Sequence, residues 1–308
     1  MAEEPAICVI GAANMDLISY VPRLPRMGET LHGHDFRMGF GGKAANQAVM
    51  AARLGASVTI VTKLGEDVFG DRALDNFREQ GIDTAYVSFT REAFSGVAPI
   101  TVDRSGNNSI IIVTGANELL IPEDVAEAEP AIRSAQVVAC QLEIEVETTL
   151  AALRLARRHG VTTIVNPAPA RPELDRELYE LSDVFCPNES EAEMLSGESV
   201  DTVEDAERAA RVMISRGARA VVLTLGAEGC LVATAEGARH VPVDRVEAVD
   251  TTGAGDAFVG SLAFFLARGA SLPEAARRAN KVAAISVQAH GAQASFPARA
   301  DLPRELLD

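Results

Sequence analysis

In the stretch Val249-Asp250-Thr251-Thr252-Gly253-Ala254-Gly255-Asp256-Ala257-Phe258, a Gly-x-Gly turn opens directly into an apolar helical run that continues through Leu266. Such a turn leaves several backbone N–H groups without intrahelical partners, aimed at one spot where the helix macrodipole is positive. That spot suits a phosphate. A carboxylate in the first helical turn, Asp256, is a poor electrostatic neighbour for an anion, so its presence calls for chemistry. Abstraction of the proton from a hydroxyl that attacks a phosphoryl group is chemistry a carboxylate can do there. The plainer assignment, an acid that complements the helix N-terminus, fits an isolated Gly-Asp pair better than two threonines and two glycines set before one acid.

A second glycine-rich stretch, Gly39-Phe40-Gly41-Gly42-Lys43-Ala44-Ala45-Asn46-Gln47-Ala48, runs into a helix of small residues ending near Leu54. Its glycines allow close backbone approach to a ligand, and Asn46 falls one helical turn inside. The spacing is not that of a Walker A loop, because Lys43 is followed by Ala. Lys43 is therefore either a phosphate ligand or a surface lysine at a helix start. Upstream, Gly11-Ala12-Ala13-Asn14-Met15-Asp16 follows the apolar strand Ala6 to Ile10 but lacks the later glycines of a dinucleotide fingerprint. Asn14 and Asp16 stand beyond the C-terminal end of that strand, where open α/β sheets place ligands, although both residue types also make turns. His32 and His34, two apart without Cys or carboxylate companions, read as surface residues rather than metal ligands.

The chain of 308 residues is 47% hydrophobic and carries a formal charge of −16. That composition supports a large core and gives no general attraction for nucleic acid, so a phosphate site must be made locally by N–H groups and a few cations. The start Met1-Ala2-Glu3-Glu4-Pro5 is unlike a signal peptide, and no apolar run is long enough to cross a membrane. Cys8, Cys140, Cys186 and Cys230 are widely spaced in apolar segments and read as buried free thiols. A cytoplasmic location is expected.

The elements that must position these residues follow from periodicity. From Val137 onward, strand and helix patterns alternate: strands at Val137 to Gln141, Thr162 to Asn166, Val184 to Cys186 and Ala220 to Leu225, and helices at Val146 to His159, Pro172 to Leu181, Asn188 to Leu195 and Val203 to Arg216. This predicts an α/β fold: a doubly wound, mostly parallel sheet flanked by helices. Polar residues fall at the strand C-termini, namely Glu143, Asn166, Asn188 with Glu191, and Thr224 with Gly226, along the edge where such sheets bind ligands. Asn188 is placed as a helix N-cap, and Glu191 is either its capping-box partner or a water-mediated magnesium contact. Ser57 to Thr62 reads as a strand, Gly65 to Gln80 as a helix, and Gly229 to Ala233 with Arg239 to Val243 as antiparallel strands before a last long helix from Pro273 to about Ala289. Alternating segments at about 15–38 and 96–113 predict a small β lid on a single domain spanning 1–308, a device that would keep water from a phosphoryl donor.

With these motifs in place, the chain resembles the ribokinase (pfkB) family of carbohydrate kinases over essentially its whole length. Gly41 to Ala48 is similar to one family signature and Asp250 to Asp256 to the other, with Ala44 where a Gly is usual. Further similarity lies in Thr114-Gly115-Ala116-Asn117, Gln141-Leu142-Glu143, Asn166 to Ala170, Pro187 to Glu191 and Gly291 to Ser295. The resemblance implies transfer of the γ-phosphoryl of ATP to a primary sugar hydroxyl, O5 of D-ribose. Asp256 would be the base, and the amides of Gly253, Ala254, Gly255 and Asp256 the anion hole. Asn14, Asp16, Gly42, Asn46, Glu143 and Asp256, with Lys43 nearby, would bind the sugar side. Asn188, Thr224, Gly226, Gly229, Gly255 and Asn280 would line the nucleotide, and Glu191 would lie near Mg2+ through water. Asp250, Thr252, Ser286, Ala289, Gly291 and Ser295 would form a loop for K+. The alternatives are a kinase of fructose, 2-keto-3-deoxygluconate or a nucleoside, and a sugar-binding regulator without catalysis. The exposed edge of the lid invites a homodimer.

Overall fold

The computed structural model describes residues 4–307. Of the acidic start discussed above, Met1 to Glu3 lie outside the described residues. Among the described residues the strands are β1 (Ala6–Ile10), β2 (Asn14–Tyr20), β3 (Asp35–Gly41), β4 (Ser57–Gly65), β5 (Asp83–Thr90), β6 (Gly96–Val102), β7 (Asn108–Ile110), β8 (Val137–Cys140), β9 (Thr162–Val165), β10 (Val184–Phe185), β11 (Ala220–Thr224), β12 (Cys230–Thr234) and β13 (Gly237–Val241). The helices are α1 (Lys43–Leu54), α2 (Val68–Glu79), α3 (Pro122–Glu127), α4 (Glu129–Ser134), α5 (Val146–Arg158), α6 (Arg176–Glu180), α7 (Glu189–Ser196), α8 (Val203–Ser215), α9 (Ala254–Ala267), α10 (Leu272–Ser286) and α11 (Arg304–Leu307).

Nine strands form one sheet in the order β13-β12-β11-β10-β9-β8-β1-β4-β5. Pairing is parallel from β5 to β11, and β12 and β13 add antiparallel at the far edge. The central strands are apolar without alternation, Val137 to Cys140 being buried throughout, because helices cover both faces. One face is closed by α1, α2, α9 and α10 around Met50, Phe77, Phe258, Phe264 and Phe265. The other is closed by α3 to α8 around Leu153, Tyr179, Phe185 and Met213. Each such side chain removed from water contributes about 1.5–3 kcal/mol.

The chain leaves β1 toward β4 and β5 on one side, and β8 returns on the other to lead out through β9, β10 and β11. The C-terminal ends of β1 and β8 therefore lie side by side at the point where the winding reverses, with Ile10 paired to Cys140. A crevice opens at such a point. Asn14 follows β1 closely, and Gln141 and Glu143 follow β8.

A separate small sheet has the order β3-β2-β6-β7. Its boundaries differ from the expected 15–38 and 96–113. β3 continues to Gly41 because Gly39, Phe40 and Gly41 pair with Asp16, Met15 and Asn14, so the first three residues of the glycine-rich stretch are strand. β7 stops at Ile110, and only a bridge from Val97 to Val113 prolongs it. Other limits move for local reasons. β4 runs to Gly65, and α2 begins at Val68, where the Asp67 side chain accepts from the N–H groups of Phe69 and Gly70. The segment from Pro172 is helical only from Arg176, capped by Asp175. α10 ends at Ser286 because the Val287 carbonyl turns away to accept from the N–H groups of Val249 and Asp250. The four cysteines are free and buried, and burial pushes the Cys8 and Cys230 thiols up to about 12.

Helix α9 is apolar all round because it lies between α1, α10 and the sheet. Its approach to α1 is set by Gly260, where an added Cβ would stand 2.5 Å from the Gln47 carbonyl oxygen and 2.9 Å from Met50 Cβ. Gly260→Ala is expected to lower the unfolding free energy by about 1–3 kcal/mol in urea titrations, since overpacking outweighs the gain of up to about 1 kcal/mol from helix propensity. A stabilised variant would show that the two helices are free to separate.

Candidate active site

The site lies where the starts of α1 and α9 meet the ends of β1 and β8. Gly42, with φ 87°, begins α1, and a Cβ there would lie 2.7 Å from Ala12 O, Ala13 Cα and Asn14 N. Only glycine lets the start of α1 rest on the connection from β1 to β2. One turn later Asn46 and Gln47 reach α9: Asn46 Nδ2 donates to Asp256 Oδ2 at 2.9 Å, and Gln47 Nε2 donates to Oδ1 at 3.1 Å. Asp256 is only 7% exposed, and among the described residues no Lys, Arg or His forms an ion pair with it. Two neutral amides hold its two oxygens, which leaves further lone pairs free to accept.

The turn before α9 departs from the expectation in one respect. Ala254 N–H donates to Thr251 O at 3.1 Å, so a tight turn occupies this amide and removes it from the anticipated anion hole. The amides of Gly253, Gly255 and Asp256 have no protein acceptor among the described residues, and the first helical bond is Ala257 N–H to Gly253 O at 2.8 Å. They border a cavity of about 160 Å³ whose wall includes Lys43, Asn166, Asn188, Glu191 and Asp256. Lys43 is thus a member of this cavity rather than a surface residue. Burial lowers its pKa, but the carboxylates of Asp256, Glu143 and Glu191 outweigh burial and raise it overall.

A separate cavity of about 250 Å³ is lined by Asn14, Asn117, Glu143 and Arg171, among others. Asn14 Oδ1 accepts from Asn117 Nδ2 at 2.8 Å, and Asn117 Oδ1 accepts from Ala13 N at 3.0 Å. Glu143 Oε2 accepts from the Lys43 backbone N–H at 2.7 Å, and burial raises the pKa of this carboxyl despite the Lys43 charge. Asp16 is pushed up to about 7, first by burial and then by Glu143 and Asp256. Partly buried polar groups of this kind, without sufficient partners of their own, are what a ligand rich in hydroxyls can satisfy.

A larger cleft of about 700 Å³ adjoins the cavity at Asp256 and shares Asn188, Thr224, Thr251, Ala254 and Gly255 with it. All six residues expected along the nucleotide, Asn188, Thr224, Gly226, Gly229, Gly255 and Asn280, lie on its wall. Asn280 Nδ2 donates to Val241 O at 2.9 Å and so fixes the end of β13. The apolar walls, Val243, Val246, Phe258, Ala283 and Val287, carry no sequence motif and come together only in the fold.

Asn188 and Glu191 form a reciprocal capping box at 2.9 and 2.8 Å, with a further bond from Asn188 Nδ2 to Glu191 Oε1 at 3.1 Å. Burial raises the Glu191 pKa. Asp250 Oδ1 accepts from Thr252 N at 2.9 Å and Oδ2 from Gly291 N at 2.8 Å, and these bonds outweigh burial to lower its pKa. Thr252 and Gly291 are thereby drawn to one carboxylate. The hydroxyls of Ser286 and Ser295 donate to the local carbonyls of Ala283 and Ala292, and Ala289 offers only backbone. Among the described residues no group of three or more His, Cys, Asp or Glu gathers as a metal cluster.

Comparison with known proteins was made on this geometry. Residues 4–299 match the family described as pfkB family carbohydrate kinase. The chain is 50% identical to a mouse ribokinase over 99% of its own length and 95% of the mouse protein. It is 42% identical to a deoxyribokinase of Salmonella typhi over 94% and 95%. Among solved structures, that of Arabidopsis thaliana ribokinase complexed with ribose and ATP superimposes with a TM-score of 0.90 at 30% identity, covering 99% of each chain.

The raised Asp16 pKa has a measurable consequence for stability. Its ordinary value is 3.8 and its folded value about 7, so between those limits the folded chain holds a proton that the unfolded chain has lost. Stability contributed by this group therefore falls as pH rises through the window. Asp16→Asn is expected to exceed the parent by about 1–4 kcal/mol in urea titrations at pH 8, and the gain should shrink as the pH is brought down to 5. A gain that grows toward pH 5 would contradict this assignment.

Proposed function

Because the chain belongs to the pfkB family of carbohydrate kinases, we propose that it transfers the γ-phosphoryl group of ATP to the primary O5 hydroxyl of D-ribose, giving ribose 5-phosphate and ADP. The observation that carries this is the placement of Asp256. It is a carboxylate without an ion-pair partner among the described residues, on the wall of a polar cavity that adjoins a nucleotide-sized cleft, beside three N–H groups without acceptors. Relatives named ribokinase, one at 50% identity, support ribose as the sugar.

In this mechanism Asn14, Asp16, Gly42, Asn46 and Glu143 hold the sugar hydroxyls so that O5 faces Asp256. ATP lies along the larger cleft with its base against the apolar wall and its terminal phosphate at the start of α9. Asp256 accepts the O5 proton as O5 attacks the γ-phosphorus, and the amides of Gly253, Gly255 and Asp256 receive the developing charge. Lys43 adds a positive charge on the phosphate side. The small sheet acts as a lid over the sugar.

Electrostatics also calls for a divalent ion. Asp16, Glu143, Glu191 and Asp256 crowd a region in which Lys43 offsets the charges of Glu143, Glu191 and Asp256 only in part, so a triphosphate enters against net negative charge. Mg2+ supplies the neutralising charge on the phosphate oxygens, and the buried Glu191 carboxylate suits a contact through water. The oxygen atoms of Asp250, Thr252, Ser286, Ala289, Gly291 and Ser295 are hard donors that suit K+. The exposed apolar side chains Phe36, Met38, Ile110 and Ile112 on or beside the small sheet suit pairing with a second copy. No described helix is long and apolar enough to cross a membrane, and we place the enzyme in the cytoplasm acting on sugar and ATP without a nucleic-acid partner.

Asp256→Asn should retain ribose binding in calorimetry and lower kcat by roughly two to four orders of magnitude. A parental rate would remove Asp256 from the mechanism. Coupled ADP release measured with Mg2+, with and without K+, over ribose, 2-deoxyribose, fructose, 2-keto-3-deoxygluconate and a nucleoside decides the substrate. Ribose is expected to give the highest kcat/KM and K+ to raise it, whereas ribose binding without ADP release would favour a regulator.

A further inference from the structure

Behind the two amides that hold Asp256 stands a buried relay of carboxamides drawn from four other parts of the chain. On one side, Asn76 Nδ2 of α2 donates to Gln293 Oε1 at 2.9 Å, Gln293 Nε2 donates to Asn46 Oδ1 at 3.0 Å, and Asn46 Nδ2 donates to Asp256. On the other, Gln141 Nε2 donates to Gln47 Oε1 at 2.6 Å, and Gln47 Nε2 donates to Asp256 and to Asn166 Oδ1 at 3.2 Å. Asn46, Gln47, Asn76, Gln141 and Gln293 are all buried.

The relay has a direction, and the carboxylate sets it. An ionised Asp256 only accepts, so Asn46 must turn its NH2 toward it. A carboxamide is nearly symmetric in shape, and packing alone does not stop Asn46 from presenting its oxygen instead. Besides Asp256 itself, what opposes the flip is Gln293, whose NH2 needs the Asn46 oxygen. Gln293 is held in turn at both ends. Its own oxygen accepts from Asn76, and its backbone carbonyl accepts from Arg53 Nη1 at 2.7 Å, the same nitrogen that donates to Phe296 O. Gln293 also sits two residues after Gly291, which is bonded to Asp250, so the segment that closes the turn before α9 also reaches Asp256 from behind.

We propose that Gln293, backed by Asn76, is a positioning residue for phosphoryl transfer: it fixes the Asn46 carboxamide with its NH2 on Asp256 and thereby aims the carboxylate at the sugar hydroxyl. The proposal rests on Asp256 being the base. Gln293 lines neither the nucleotide cleft nor the two smaller cavities described above, so it acts through Asn46 alone.

The test uses the full-length enzyme with ribose, ATP and Mg2+. Gln293→Met keeps the length of the side chain and removes the donor, and Asn76→Leu removes the anchor behind it. Gln293→Met is expected to lower kcat about tenfold with KM for ATP within about twofold of the parent, and Asn76→Leu to lower kcat by less. Because both act through one bond, the double variant should be no slower than Gln293→Met. Gln293→Glu has the same shape but accepts on both sides, which turns the Asn46 oxygen toward Asp256, and it should be slower than Gln293→Met. A folded Gln293→Met at the parental kcat, or a double variant whose loss is the product of the single losses, overturns the proposal. If Gln293→Met fails to fold, a parental kcat in Asn76→Leu overturns it and a reduced kcat at unchanged KM for ATP supports it. Asp256→Asn measured alongside separates the two levels. A nearly inactive Asp256→Asn with a parental Gln293→Met defeats the relay alone, and a parental Asp256→Asn defeats the assignment of the base.

Discussion

The site depends on one carboxylate being buried without a direct ion-pair partner among the described residues, Lys43 acting on it only from across the cavity. An acid at 7% exposure is ordinarily neutralised by a Lys or Arg partner, yet a tight ion pair would direct the lone pairs of Asp256 away from any substrate. Two neutral amide donors, one per oxygen, leave the carboxylate hydrogen-bonded but able to accept a proton. This arrangement requires α1 and α9 to approach closely along their first turns. Gly260 makes that approach by letting α9 meet the Gln47 carbonyl where a Cβ would intrude, while Gly42 seats the start of α1 on the connection from β1 to β2. The parallel sheet beneath supplies the rest, since the winding reverses where the ends of β1 and β8 deliver Asn14, Gln141 and Glu143 to the same crevice.

Much of this was legible in the chain itself. The turn Gly253-Ala254-Gly255 before an apolar run predicts a helix N-terminus with free amides, and the alternation from Val137 predicts a doubly wound sheet. Both depend on neighbours in sequence. The Ala254 amide was not legible, because its bond to Thr251 O depends on how tightly the turn closes. Nor were Gln47, Asn76, Gln141 and Gln293, which polar composition alone would place at a surface. Gln47 and Asp256 are 209 residues apart, and Gln293 and Asn46 are 247 apart, so only tertiary structure joins them. The segment 115–134 carries two six-residue helices with Pro122 and Pro130 at their starts, too short to show a helical period. β5 is a partly exposed edge strand whose alternation is weak.

Function and stability pull against each other here. Burial raises the pKa of Asp16, Glu143 and Glu191. Each of these groups is less well solvated than it would be in the unfolded state. The fold offsets such costs through the two large apolar layers on either face of the sheet.

The central claim is that Asp256 meets the reacting hydroxyl while the amides beside it meet the transferring phosphoryl group. A crystal structure with ribose, ADP, Mg2+ and aluminium fluoride tests it most directly. The account predicts aluminium in line between the ADP oxygen and O5 of ribose, with an Asp256 oxygen about 2.6–3.2 Å from O5. The fluorides should lie within hydrogen-bond reach of the Gly253, Gly255 and Asp256 N–H groups. Ribose bound with O5 facing another residue, or fluorides held away from the start of α9, would contradict it.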